Sequence, residues 1–291
     1  VTGTSPHGQG HVTSWAQITA DELGVPFEDV EVLHGDTAIA PLGMDTYGSR
    51  SLSVGGIALW NAAQKIKEKA KRIAAHDLEV SPEDLEWTDG KFQVRGVPDK
   101  SKTIPDVAFA AWTAHSLPED VEPGLEATHV YDPPNFTFPA GAHVCAVEID
   151  TETGEVEILK YVAVDDCGNV VNPTIVEGQV HGGVAQGIAE ALYEEAVYDD
   201  AGNLLTSSMH SYRIPSAAEL PSFVTDRTVT PSSTNPMGVK GVGEAGTIAA
   251  PAAVMNAVAD ALAPFGVTKI DLPATPERVW RAIRDAKGGA E

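Results

Sequence analysis

The strongest constraint on the fold is a glycine-rich stretch near the end of the chain. Residues 238–246 contain four glycines, one lysine and one glutamate, and the apolar run 248–262 that follows predicts a buried helix with Pro251 in its first turn. Glu244 therefore lies where a flexible loop meets a helix N-terminus, and the free N–H groups and helix dipole there favour an ionised carboxylate. This arrangement suits a general base. It also suits a carboxylate that only caps the helix.

The charge balance excludes one broad class of function. Lysine and arginine total 19 and aspartate and glutamate total 42 among 291 residues, which gives a formal net charge of −23. Nucleic acids need a basic binding face, so we expect no nucleic-acid partner. The acids are scattered as solvated faces, and adaptation to high salt is one explanation for their excess.

Length and cysteine content are typical of an intracellular globular protein. The 291 residues, 43% of them hydrophobic, are enough for one large domain or two lobes. No apolar run reaches about 18 residues and no signal peptide is visible, so we predict neither a membrane span nor secretion. Two cysteines cannot form a disulfide framework, which favours a cytoplasmic location. Because Val1 leads directly into a Gly-rich turn, we expect a fragment or one half of a subunit.

The hydrophobic pattern predicts an α+β fold with mixed strands and helices in two lobes. Residues at helical spacing predict helices at 12–23, 51–76, 104–112, 175–192, 248–262 and 273–286. Short apolar runs bounded by turn residues predict strands at 30–33, 85–87, 91–94, 142–149, 156–164, 193–197 and 223–230. The absence of a regular βαβ repeat argues against a doubly wound sheet.

Glycine-rich stretches at or near predicted helix starts occur four times, at 7–11, 47–53, 177–183 and 240–244. Helix N-termini attract anionic groups, and glycine lets a ligand approach the backbone closely. Together the four stretches predict an extended, anionic ligand that accepts and donates many hydrogen bonds.

Common nucleotide and metal motifs are not matched. No stretch ends in Gly-Lys-Ser/Thr, which argues against a P-loop. Residues 241–246 match the Gly-x-Gly-x-x-Gly pattern of a dinucleotide-binding motif, but no apolar strand precedes them. The nine histidines are spread singly, and the glycines between His7 and His11 break the helix that a zinc pair of this spacing needs. We therefore predict no protein-held metal.

Six short motifs occur in one order, at 8–10, 48–51, 165–168, 177–183, 212–215 and 240–244. This ordered set of motifs covers nearly the whole chain. It resembles the C-terminal half of the large subunit of molybdenum hydroxylases, the family of xanthine oxidase, aldehyde oxidoreductase and aerobic carbon monoxide dehydrogenase. The Ser-Arg-Ser and Asp-Asp-Cys-Gly forms are most similar to the bacterial carbon-monoxide-dehydrogenase-like branch. The resemblance implies that residues 1–291 are a second molybdopterin-binding domain, with two sub-lobes.

The resemblance also implies a molybdenum cofactor. The metal would be carried on a pterin dithiolene, usually as the cytosine dinucleotide in bacteria, and held mainly by the pterin. The residues that match the family's cofactor-binding positions are Gly8, Gln9, Gly10, His11, Ser49, Arg50, Ser51, Ser53, Cys167, Gln179, Lys240 and Gly241. Arg50 suits a pyrophosphate. Cys167 either lies against the cofactor or is a plain buried small residue.

By the same resemblance, Glu244 matches the family's catalytic glutamate. In that mechanism the carboxylate takes the proton from a metal-bound hydroxide, and the oxygen then attacks an electron-poor carbon of a small substrate. Carbon monoxide, aldehydes and N-heterocycles all stay open as substrates.

The resemblance implies partners as well. The remaining half of the large subunit carries the substrate-selecting loops, and FAD and [2Fe–2S] clusters are expected on partner subunits, because two cysteines cannot hold a pair of clusters. We therefore expect this chain to be part of a hetero-oligomer. Two alternatives stay open: a non-catalytic assembly or binding module of the same fold, and a phosphate-binding domain unrelated to molybdenum.

Overall fold

The structure, a computed structural model, describes residues 1–288 and divides into two compact units. Unit 1 comprises Val1–Thr137 together with Ser232–Val239, and unit 2 comprises Phe138–Pro231 and the chain from Lys240 onwards. Helices and strands are mixed in both units. The predicted α+β fold in two lobes is therefore confirmed.

Unit 1 is a helical layer combined with a small antiparallel sheet. Its elements are α1 (His11–Leu23), α2 (Ile57–Asp77), β1 (Leu85–Thr88), β2 (Lys91–Val94), β3 (Val97–Thr103) and α3 (Ile104–Thr113). The strand order is β1-β2-β3. Asp89 and Gly90 both have positive φ, as a two-residue hairpin turn requires. Ile73, Phe92 and Val107 are at most 2% exposed and belong to the unit's core.

Unit 2 is a three-stranded sheet with helices packed against it. Its elements are β4 (Ala140–Ile149), β5 (Val156–Asp166), α4 (Pro173–Leu192), β6 (Phe223–Thr228), α5 (Ala245–Leu262) and α6 (Pro276–Gly288). β5 is central, antiparallel to β4 and parallel to β6, and α4 lies in the crossover between the parallel pair. Tyr161, Val184 and Val254 are fully buried in this unit's core.

Helices α4 and α5 cross at glycine. A β-carbon on Gly183 would lie 2.9 Å from the Cα of Gly246, and one on Gly246 would lie 2.4 Å from the carbonyl oxygen of Val180. One turn further along, a β-carbon on Gly187 would lie 2.8 Å from the Cδ of Pro251. Only glycine permits backbones to approach this closely.

One apolar helix among residues 1–288 has the length and composition of a membrane span. It comprises α5 and the 3-10 turn that follows, Ala245–Phe265, with a mean hydropathy of 1.4. The expectation that no apolar run reaches this length was therefore wrong. Gly246, Ala250 and Val254 are buried within unit 2, so we interpret α5 as a core helix.

Most predicted elements are present at their predicted positions, but five details were wrong. No strand forms at 30–33, where the carbonyl of Leu33 accepts a hydrogen bond from Thr2 without a ladder. None forms at 193–197 either, and the next residue, Tyr198, makes only an isolated bridge with Leu204. Strand β3 was missed because its sequence is polar and lacks alternation.

The remaining two errors concern helix starts. The carbonyl of Glu244 accepts hydrogen bonds from Thr247 and Ile248, so α5 begins at Ala245 and Pro251 lies inside the helix rather than in its first turn. The last helix begins at Pro276 and not at 273. Thr275 accepts the first backbone bonds there, which makes proline the first helical residue, a favoured position.

Candidate functional site

The first glycine loop of unit 1 leads into α1 through left-handed backbone. Gly8 has φ 117° and Gly10, the N-cap of α1, has φ 70°. The side-chain oxygen of Gln9 accepts a hydrogen bond from the backbone N–H of His7. Gln9 and Gly10 are half-buried and Gly8 is exposed. The loop thus presents backbone N–H groups at a helix start, as the sequence predicts.

The second loop of unit 1 lies beside the first, because both are tied to Asp45. The carboxylate of Asp45 accepts a hydrogen bond from the N–H of Ser5 at 3.1 Å and lies 3.4 Å from the Nε2 of His7. Its own N–H donates to the carbonyl of Gly3 at 3.1 Å. Residues 1–11 and 43–53 are therefore neighbours.

Polar side chains of the second loop are held by local contacts. The hydroxyl of Ser51 lies 2.6 Å from that of Thr46, and Ser53 donates to the carbonyl of Arg50 at 3.2 Å. Both serines are buried. The guanidinium of Arg50 lies over the ring of Tyr47, 5.1 Å from its centroid.

The start of α2 is a π-helical turn, Leu52–Gly56, and packing explains its glycines. A β-carbon on Gly56 would lie 3.0 Å from the ring of Trp15, and one on Gly55 would lie 2.6 Å from the Cγ2 of Thr4. Such wide turns inside helices occur frequently at functional sites. Here the turn follows Ser51 directly and contains Ser53.

Two buried polar atoms of α1 have no hydrogen-bond partner within residues 1–288: the Nδ1 of His11 and the Nε1 of Trp15. The two rings are stacked, with centroids 5.1 Å apart. Burial, and next the charges of His7 and His34, lower the pKa of His11, which keeps its imidazole neutral. Buried polar groups normally find partners, so this pair is a candidate contact for a ligand.

In unit 2 the predicted residues begin at the carboxyl end of β5, next to its parallel partner β6. Ligands of α/β sheets bind outside the carboxyl ends of such strands. Cys167 follows β5 directly and is 4% exposed, and its burial is the main reason that the pKa of its thiol is raised. Its carbonyl accepts a hydrogen bond from the N–H of Lys240 at 2.8 Å. The structure thus joins Cys167 and Lys240, two of the predicted residues.

Asp166, the last residue of β5, is the main polar anchor of this region. It is 5% exposed, and its carboxylate accepts hydrogen bonds from the N–H of Gly168 at 3.0 Å and the hydroxyl of Thr228 at 3.0 Å. The ammonium of Lys240 lies 3.1 Å away. Burial opposes ionisation of Asp166, but hydrogen bonds from Thr230, Gly168 and Lys240 outweigh it and hold its pKa well below its usual range.

A second buried network lies one residue earlier on β5. The hydroxyl of Tyr161 lies 2.9 Å from the Nδ1 of His143, whose Nε2 lies 3.3 Å from the Oδ2 of Asp165. A β-carbon on Gly141 would lie 2.3 Å from the Oδ1 of Asp165, so the strand backbone closes over this carboxylate. The network supports the end of β5 from the inner face of the sheet.

Glu244 is the N-cap residue of α5, and its side chain makes no capping hydrogen bond. The residue is exposed, whereas Gly241 in the same loop is buried. Gln179 is half-buried in α4, next to Val180, whose carbonyl faces Gly246 at the helix crossing. The first turn of α5 is therefore close to the α4 segment that contains Gln179.

The predicted residues divide between the two units, and the structure joins Lys240 directly to Cys167. Unit 1 contains the set Gly8, Gln9, Gly10, His11, Ser49, Arg50, Ser51 and Ser53, and unit 2 contains the set Cys167, Gln179, Lys240, Gly241 and Glu244. Sequence reasoning gave no role to Asp166 or to the His143–Tyr161 pair. The two adjacent aspartates at the end of an apolar strand were the signal that could have indicated a role for Asp166.

Comparison with known proteins decides the family. A family model described as a molybdopterin cofactor-binding domain matches residues 1–221. The chain belongs to this molybdopterin cofactor-binding domain family. The match ends before Lys240 and Glu244.

Relatives match almost the whole chain. The carbon monoxide dehydrogenase large chain of Hydrogenophaga pseudoflava is 48% identical over 283 residues, covering 97% of this chain and 35% of its own. The nicotine 6-hydroxylase large subunit of Paenarthrobacter nicotinovorans is 45% identical with the same two coverages. The solved structure of reconstituted CO dehydrogenase from Oligotropha carboxidovorans superposes with a TM-score of 0.94 and 45% identity, over 98% of this chain and 35% of that one.

This chain therefore spans about a third of the length of the relatives that it matches. The family and the fold agree with the resemblance found in the motifs. Activity, substrate and partners belong to whole proteins of which this chain corresponds to one part, and we treat them as proposals.

Proposed function

We propose that this chain is the molybdopterin-binding part of a molybdenum hydroxylase large chain and that Glu244 is its general base. The observation that carries the proposal is the position of Glu244. It is an exposed carboxylate at the start of α5, on a loop whose beginning is bonded to the carboxyl end of β5 through Lys240 and Cys167. A base needs such a fixed and accessible position.

Features of unit 1 fit the pterin cofactor. The Nδ1 of His11 and the Nε1 of Trp15 are buried polar atoms without a partner in residues 1–288, and a pterin offers both donors and acceptors. Open space surrounds the positions where Gly8 and Gly48 would carry a β-carbon, and both have positive φ. The positive φ explains why glycine is favoured at both positions, and the open space around them leaves room for a ligand to approach the backbone closely.

In unit 2 the glycines of α4 support the same interpretation. A β-carbon on Gly178 or Gly182 would meet nothing within 4 Å. Glycine inside a helix costs stability relative to alanine, so a helix keeps it for a reason. We propose that the cofactor is held by Gly8, Gln9, Gly10, His11, Ser49, Arg50, Ser51, Ser53, Cys167, Gln179 and Gly241. Lys240, the remaining residue predicted to contact the cofactor, supports this set from within the protein, because its ammonium lies 3.1 Å from the carboxylate of Asp166.

When bound, the cofactor supplies a two-electron redox centre that activates water for transfer of its oxygen to the substrate. The contribution of this chain is proton transfer and positioning. The carboxylate of Glu244 takes a proton from the attacking water. Since the backbone carbonyl of Glu244 is already bonded to Thr247 and Ile248, its side chain is presented from a fixed helix end.

The names of the relatives support a proposal for the substrate class and the partners. We propose a small substrate such as carbon monoxide, an aldehyde or an N-heterocycle, and the cytosine dinucleotide form of the cofactor. The rest of the large chain and subunits with flavin and [2Fe–2S] clusters complete a hetero-oligomer. We also propose a cytoplasmic location, where Cys145 and Cys167, both free thiols, stay reduced.

The test is Glu244→Gln in the fully assembled enzyme. Turnover of carbon monoxide, an aldehyde and an N-heterocycle is measured with an artificial electron acceptor, and molybdenum and pterin contents are determined in parallel. We expect native cofactor content and a loss of about 10²–10⁴-fold in kcat. The matched control is Glu190→Gln, which neutralises an exposed glutamate on α4 and should keep native turnover.

Two results would contradict the proposal. Unchanged turnover of Glu244→Gln would remove the general-base role and favour a non-catalytic assembly module. Absence of molybdenum from the native assembly, together with nucleotide binding, would favour a phosphate-binding domain instead.

A further inference from the structure

The loop that carries Glu244 is attached to unit 2 at its first residue. Lys240 makes two contacts there: its N–H donates to the carbonyl of Cys167 at 2.8 Å, and its ammonium lies 3.1 Å from the carboxylate of Asp166. Its side chain is 11% exposed and that of Asp166 is 6% exposed. An ion pair this buried is screened little by solvent.

Asp166 is itself held from several directions. Gly168 and Thr228 donate to its two oxygens, and Thr228 is its register partner on β6. The ion pair therefore joins the Lys240 side chain to the ends of two neighbouring strands. A carboxylate with this many donors has little freedom to move.

The other end of the loop is equally fixed. The N–H of Ala245 donates to the carbonyl of Val242 at 3.2 Å, and the carbonyl of Glu244 starts α5. Gly246 is pressed against α4, where no β-carbon fits. Only three residues, 241–243, separate Lys240 from Glu244, so their flexible glycines are restrained from both sides.

We propose that Asp166 is a positioning residue for Glu244 and acts through Lys240. This inference rests on the proposed function, in which Glu244 is the general base. It also assigns Lys240 a role inside the protein: the ammonium holds the base-bearing loop on the strand ends instead of neutralising a cofactor phosphate. Without the ion pair the loop would sample several positions, and the carboxylate would be misplaced.

The experiment compares Lys240→Met, Asp166→Asn and the double variant in the fully assembled enzyme. Both replacements keep the approximate shape of the side chain and remove its charge. Three quantities are measured: molybdenum and pterin content, amide hydrogen exchange of residues 240–246, and steady-state kinetics per bound molybdenum with carbon monoxide, an aldehyde or an N-heterocycle.

We expect native cofactor content, faster exchange confined to 240–246, and a fall in kcat of roughly 10- to 100-fold with little change in KM. The double variant should lose no more than the single variants, because both remove the same ion pair. Lys240→Arg, which keeps the charge, should recover part of the activity.

The matched control is Arg278→Met. Arg278 pairs with Glu195 in the same unit, and both side chains are partly buried. Its loss should destabilise unit 2 without faster exchange in 240–246 and without a change in kcat. A general loss of stability is thereby separated from misplacement of the loop.

Two outcomes would overturn the inference. Unchanged exchange in 240–246 would show that the ion pair does not hold the loop. Loss of pterin with normal kcat per remaining molybdenum would show that Lys240 contacts the cofactor directly. A fully active Glu244→Gln enzyme, in contrast, would overturn the proposed function even if the loop loosens. Should Lys240→Met not assemble, Asp166→Asn carries the same comparison.

Discussion

Gly183 on α4 and Gly246 on α5 lie so close that neither position has room for a β-carbon. A β-carbon on Gly183 would lie 2.9 Å from the Cα of Gly246, and one on Gly246 would lie 2.4 Å from the carbonyl oxygen of Val180. Both distances are shorter than non-bonded atoms tolerate. The crossing fixes the first turn of α5, and with it Glu244, against α4.

Gly183→Ala should therefore destabilise unit 2. The added methyl group meets the backbone of α5, which cannot rotate away, and overpacking of this kind costs about 1–3 kcal/mol. Chemical denaturation of the variant and the native chain measures the difference in unfolding free energy.

Gly182→Ala is the matched control for that substitution. A β-carbon on Gly182 meets nothing within 4 Å, and the residue lies inside the same helix. We expect the free energy of unfolding to rise by about 0.5–1 kcal/mol, because alanine favours the helix. Equal destabilisation by both substitutions would contradict the close crossing.

The stability of unit 1 should decrease on mild acidification because of His11. Its pKa in the folded chain lies below the ordinary value of 6.5, so the unfolded chain binds more protons as the pH falls. The contribution of neutral His11 to the stability of unit 1 is fully present above pH 6.5. It is lost as the pH falls towards the lowered pKa of His11 in the folded chain. Thermal unfolding between about pH 8 and pH 5 tests this, with the range set by ordinary histidine titration.

His11→Gln should flatten that pH dependence, because glutamine does not titrate. The exposed His115 provides the control, and His115→Gln should leave the pH dependence of unfolding as it is in the native chain. A pH dependence that survives in His11→Gln would assign the effect to other groups.

Tyr161→Phe should cost stability out of proportion to the single atom removed. Burial, and next the charges of Cys145 and Asp165, raise the pKa of Tyr161, so its hydroxyl stays protonated beside the Nδ1 of His143 at 2.9 Å. Removal leaves a buried imidazole nitrogen without this partner, at a cost of about 1–3 kcal/mol. Tyr198→Phe, at a residue 61% exposed, should change the unfolding free energy little. Equal effects would argue against the network.

Salt should stabilise the chain. With a net charge of −23, repulsion between acids opposes compaction, and raising the ionic strength from 0.01 M to 1 M shortens the screening length from about 30 Å to about 3 Å. The melting temperature should rise with sodium chloride. A variant in which the exposed acids Glu119, Asp132 and Glu152 are neutralised should show a weaker rise. A melting temperature indifferent to salt would exclude this effect.

Local patterns were enough to predict most elements of the fold. The Asp89–Gly90 turn and strands β4 and β5 could be predicted because the local sequence preferences there agree with the tertiary structure. Strand β3 could not be predicted from the sequence, since its polar residues form a strand only by pairing with β2. The start of α5 depends on Glu244 accepting the first backbone bonds, which periodicity does not show.

Only part of the candidate site could be predicted from the sequence, for a different reason. Motif order indicated Lys240 and Cys167, but the pairing of Lys240 with Asp166 spans 74 positions along the chain. A contact between such distant residues depends on how the loop before α5 packs against the end of β5, which only the folded structure determines. The same holds for His143 and Tyr161, which are diagonal neighbours on the paired strands β4 and β5.

The path of the chain through its two units has a consequence for biosynthesis. Segment Ser232–Val239 belongs to unit 1, where the hydroxyl of Tyr131 donates to the carbonyl of Thr234 at 3.3 Å. Unit 1 is therefore completed only after the ribosome has already made every strand of the other sheet. No single proteolytic cut releases either unit intact, and a fragment that stops at Thr137 lacks a piece of its own unit.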